Sequence, residues 1–150
     1  MKTKFILLIV LTFFFMSCKN NTKNEAQNTI ENKEVTNEES AKLRLDNGQK
    51  WLANTETHIG VKKMDSIIKT FKSQTDKNYN VIGESLSEQT SFVIKNCSMK
   101  GEPHDQLHVV LVPMLDEISI LKESNSIDDS ENALQKLELL IQDYFTHFKV

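Results

Sequence analysis

The chain is poor in residues that interrupt helices, with two prolines and four glycines in 150 residues. It has no convincing run of alternating apolar and polar residues, which argues against a sandwich or barrel. It lacks a glycine-rich phosphate loop, a nucleophile elbow and paired carboxylates in a recognisable setting, so no enzyme class is indicated. There is no CxxCH, which excludes covalently attached haem. There is no HExxH either: Asp105 follows His104 where a zinc protease would carry glutamate. Basic clusters are also missing. The net charge is −3, and such a balance argues against nucleic acid and against a polybasic membrane patch. No apolar run reaches the roughly 20 residues needed to span a bilayer.

The first residues read MKTKFILLIVLTFFFMSC. Lys2 and Lys4 precede twelve apolar or near-apolar residues, and Ser17 stands just before Cys18. That order is the pattern of a secretory leader. The FMSC ending resembles the lipobox of bacterial lipoproteins, although Phe15 departs from the usual leucine. The resemblance covers residues 1–18. It implies cleavage before Cys18, acylation of that cysteine (palmitate among the acyl groups) and a domain held on a membrane of the cell envelope. Loss of Lys2 and Lys4 with the leader would move the charge from −3 to −5. With Cys18 lipidated, Cys97 has no partner within the chain. A lone thiol in an exported protein reads as a buried small hydrophobe, a metal ligand or a reactive group.

Residues 18–40 are expected to be the lipidated cysteine and a linker. Residues 19–40 hold six asparagines and five glutamates among few apolar side chains. That composition predicts disorder and a tether of about 70 Å at full extension. Residues 41–150 read as one all-α domain. Apolar positions recur at three- and four-residue steps, which predicts helices over 42–73, 79–98, 103–122 and 128–148. Gly101 fits a helix stop and Pro103 a helix start. Asp128 or Asp129 fits an N-cap, and Pro113 predicts a kink. Short connectors predict an up-down-up-down four-helix bundle.

The segment CSMKGEPHDQLH at 97–108 gathers Cys97, Met99, His104 and His108. The two histidines are one helical turn apart and so share a face. The expectation is that both lie along the apolar stripe of Leu107, Leu111, Leu115 and Ile118. Bundle topology should bring His147, at the end of the fourth helix, and His58, on the first, to the same pole. Imidazole with thiolate and thioether suits copper or zinc. The candidate metal ligands are therefore His104, His108, His58, His147, Cys97 and Met99. A hydrolytic zinc site would still need an open coordination position and a positioned base, a role for which Asp105 or Glu102 could be argued. The segment also resembles a CxMKGxxHDxLH pattern in small bacterial helical lipoproteins to which no activity is attached.

Metal sensing, storage or handover is the first functional expectation. A cofactor-free structural or interaction module of the envelope is the alternative. A b-type haem site would need histidine and methionine ligands. A phosphotransfer histidine would need exposure, which the expected stripe denies it.

Overall fold

The structure is a computed structural model that describes residues 42–150. The expected leader, Cys18 and the expected tether lie outside the described residues. Four helices make up most of the fold: α1 (Thr55–Ser73), α2 (Tyr79–Asn96), α3 (Glu102–Glu123) and α4 (Ile127–His147). Two short strands, β1 (Trp51–Leu52) and β2 (Phe148–Lys149), pair in parallel, Trp51 opposite Phe148. Among the described residues no helix is long and apolar enough to cross a membrane.

Residues 42–54 are not helical, contrary to the expected start of the first helix. The cause is the sequence Asp46-Asn47-Gly48-Gln49. Asn47 and Gly48 both take positive φ, +48° and +84°. Asp46 and Gln49 exchange backbone hydrogen bonds of 2.8 and 2.7 Å. Asn-Gly is the preferred pair for such a two-residue turn, because both residues must enter the left-handed region. The turn sends the chain into β1, and α1 begins only after Asn54.

The other helices start and stop within two residues of expectation. Asn78 caps α2 by accepting from the Val81 N–H at 3.1 Å. Ser126, rather than either aspartate, caps α4 by accepting from the Asp129 N–H at 3.2 Å. Asp128 and Asp129 instead fill the first turn, where negative charge suits the helix dipole. α3 continues through Pro113 as one helix. Its flanking residues Val110, Leu111 and Met114 are all buried and hold the helix on both sides of the missing N–H.

The core joins all four helices: Val61, Met64 and Ile68 from α1; Leu86 and Val93 from α2; Leu107, Ile118 and Leu121 from α3; Leu137, Ile141 and Tyr144 from α4. On α3 the stripe differs from expectation. Met114 is buried, whereas Leu115 is 38% exposed. At about 100° per residue, the buried positions centre on Leu107 and Met114. Leu115 falls about 90° from that centre and His108 about 110°.

Two glycines set helix separation. A Cβ on Gly60 would lie 2.3 Å from Val93 Cγ2. One on Gly83 would lie 2.8 Å from the Lys122 backbone nitrogen. Both are points of close approach, α1 on α2 and α2 on α3.

Candidate metal site at one end of the bundle

α2 ends at Asn96, and Cys97 leaves it in an extended conformation. Gly101 then turns the chain with φ +64° and ψ −148°, a combination only glycine adopts without strain. Its carbonyl accepts from the N–H groups of His104 (2.9 Å) and Asp105 (3.0 Å), which starts α3. Pro103, in the first turn, needs no backbone donor there. This corner faces His104 back toward the end of α2, and its Nδ1 lies 3.6 Å from Cys97 Sγ. Both residues are half-buried.

The His108 ring centroid lies 4.4 Å from that of His104, tilted by 55°. The pair is adjacent, as one-turn spacing requires. His108 nevertheless is exposed, because its position on the helix falls to the shoulder of the buried stripe. The expectation that both imidazoles follow the core therefore holds only in part: His104 is half-buried and His108 is not. Met99 is half-buried and packs against the core.

His58 is held elsewhere. Its Nδ1 is 3.4 Å from the Tyr144 hydroxyl, and its ring meets Phe145 edge-on at 5.6 Å. Tyr144 is fully buried and stacks on Phe148 at 5.0 Å. Burial pushes its phenol far above the usual range, and the Cys97 thiol adds to the push. The hydroxyl therefore stays protonated, hydrogen-bonded to His58 Nδ1. Burial, then the Lys62 charge, lowers the His58 pKa, so the ring favours its neutral form. His147 makes a different contact: its Nδ1 donates to the Asp143 carbonyl at 2.7 Å within its own helix.

The six residues named from the sequence thus divide into groups. Cys97, His104 and His108 are contiguous, while His58 is tied to Tyr144 and His147 to its own backbone. Among the described residues no three His, Cys, Asp or Glu side chains converge as a ready-made ligand set. Tyr144, which touches the His58 side of this pole and senses the Cys97 side, was not legible as more than a core residue.

Several contacts fix this end of the bundle. Asn54 Nδ2 donates to the Asn96 carbonyl at 3.0 Å, joining the start of α1 to the end of α2. The buried Thr57 hydroxyl donates to Asn54 Oδ1 at 2.6 Å. Arg44 N–H donates to the buried Gln106 Oε1 at 2.7 Å. Trp51 Nε1 donates to the Arg44 carbonyl at 2.6 Å. The Arg44 guanidinium pairs with Glu102, and Asp105 is exposed.

No protein-family model matches the chain, and neither does any curated protein or solved structure.

Proposed function

We propose that the protein is a lipid-anchored envelope lipoprotein whose helical domain binds a transition metal, copper or zinc, at the Cys97–His104 pole. The role is sensing, storage or handover. The anchor is Cys18 and the tether follows it. The helices run alternately up and down. Connectors of a few residues support that topology, as does the parallel pairing of β1, which precedes α1, with β2, which follows α4.

One observation carries the metal reading. Sulfur at about 2.3 Å and imidazole nitrogen at about 2.0 Å from one tetrahedral ion lie about 3.5 Å apart. Cys97 Sγ and His104 Nδ1 are 3.6 Å apart. The pair has the spacing of two ligands on one metal without any movement of the backbone.

The test is an equilibrium titration of the full chain in detergent with copper(I) and zinc. We expect about one ion per chain, with affinity lowered by about a hundredfold in Cys97→Ser and in His104→Gln. Equal binding by the wild type and both variants would remove the reading. A second reading, a cofactor-free interaction module, is favoured by the exposure of Leu52 (65%), Val81 (61%), Ile94 (53%) and Ile59 (52%). It predicts a thermal midpoint indifferent to metal, whereas native-state binding raises the midpoint by mass action.

A further inference from the structure

We infer that the pole is a copper(I) site, with Cys97 Sγ and His104 Nδ1 as principal ligands and His108 as the third, its exposed ring turning in on binding because no three such donors converge among the described residues. This rests on the metal-binding reading above and narrows it to one ion and one oxidation state.

Three observations support the choice. The first is donor number. The contiguous group offers one thiol and two imidazoles, with Sγ to Nδ1 at 3.6 Å and the two imidazole centroids 4.4 Å apart. Structural zinc requires four ligands. Copper(I) is satisfied by two or three donors, at least one of them soft, and thiolate selects for it.

The second is charge. Cys97 and His104 are half-buried, and charge is costly to desolvate there. One thiolate with two neutral imidazoles makes copper(I) a neutral complex, whereas zinc would leave one uncompensated positive charge. The nearest acidic residues in sequence do not correct this. Glu102 is engaged by Arg44, and Asp105 is exposed.

The third is access. His108 is exposed while its neighbour is half-buried. An ion held by the inner pair can be met at His108 by an incoming donor, and released there, without opening the core. On binding, a copper–sulfur bond forms, the Cys97 S–H bond breaks, and the thiol proton passes to solvent. The metal stays copper(I) throughout.

The experiment has two arms on the full chain in detergent under reductant. In the first, copper(I) and zinc each compete against a chelator of known affinity. In the second, X-ray absorption of the copper-loaded wild type counts sulfur and nitrogen neighbours, which needs no variant. The expected result is one copper(I) per chain, with one sulfur and two nitrogen neighbours. Zinc should bind at least about a thousandfold more weakly. His108→Gln, an exposed change that leaves the core intact, should lose about tenfold in copper affinity. Zinc binding as tight as copper would overturn the inference while leaving the metal reading standing. A copper shell with no sulfur neighbour, or unchanged affinity in His108→Gln, would overturn the ligand assignment. Binding of neither metal would remove both the reading and the inference.

Discussion

At the scale of single residues, the four histidines have four environments, and chain position explains each. His104 is in the first turn of α3, where Gly101 aims it at Cys97. His108 is one turn on, at a position rotated out of the buried stripe. His147 is close enough to a helix end to bond its own Asp143 carbonyl. His58 is hydrogen-bonded to a buried tyrosine, and burial lowers its pKa. The last has a pH consequence. The unfolded-state value is about 6.5, and the folded value is lower, so the unfolded chain binds more protons between the two. The stability linked to His58 is complete above about pH 6.5 and is lost as pH falls from there toward the folded value. Thermal midpoints measured from pH 8 to pH 5 should fall more steeply for the wild type than for His58→Gln. Parallel curves would show that His58 is not the group responsible. The adjacency of His104 and His108 could be read from their spacing. Their different exposure could not, because three- and four-residue steps fit either Leu115 or Met114 as the next buried position, and only packing decides between them.

At the scale of elements, α2, α3 and α4 follow from apolar periodicity and from Gly101 and Pro103 as boundary residues, while the cap of α4 falls on Ser126 instead of the expected Asp128 or Asp129. The first helix is overextended in the sequence reading by thirteen residues of non-helical chain. The signal that could have corrected it is Asn47-Gly48, a turn pair whose strength outweighs the loose periodicity around it. Gly60 and Gly83 are also informative in retrospect. A glycine inside a helical pattern lowers helix propensity, yet here each allows two helices to touch. Replacing Gly83 with alanine places a methyl group 2.8 Å from the Lys122 backbone nitrogen, and backbone cannot give way as a flexible side chain can. We expect a loss of about 1–3 kcal/mol in denaturant unfolding. An unchanged midpoint would mean that α2 and α3 separate at little cost.

At the scale of the whole molecule, the domain is closed by contacts between its two ends. β1 and β2 pair Trp51 with Phe148. Phe148 is 1% exposed and stacks on Tyr144, so this strand residue belongs to the core. Nothing in the local pattern announces this, because a two-residue parallel pair depends on where distant segments meet. Phe148→Ala should cost about 3–5 kcal/mol, measured by chemical unfolding, and should loosen the packing that holds Tyr144 against His58. A loss below about 1 kcal/mol would contradict that role, being far under the usual range for a buried phenylalanine. The central claim concerns how the same pole divides its histidines between metal and structure. Histidine nitrogen NMR of the full chain, followed as copper(I) is added to one equivalent, tests this most directly. The account predicts that the His104 Nδ1 resonance shifts and saturates at one equivalent, that His108 moves with it, and that His58 and His147 keep their positions. Equal movement of all four histidines, or of none, would contradict it.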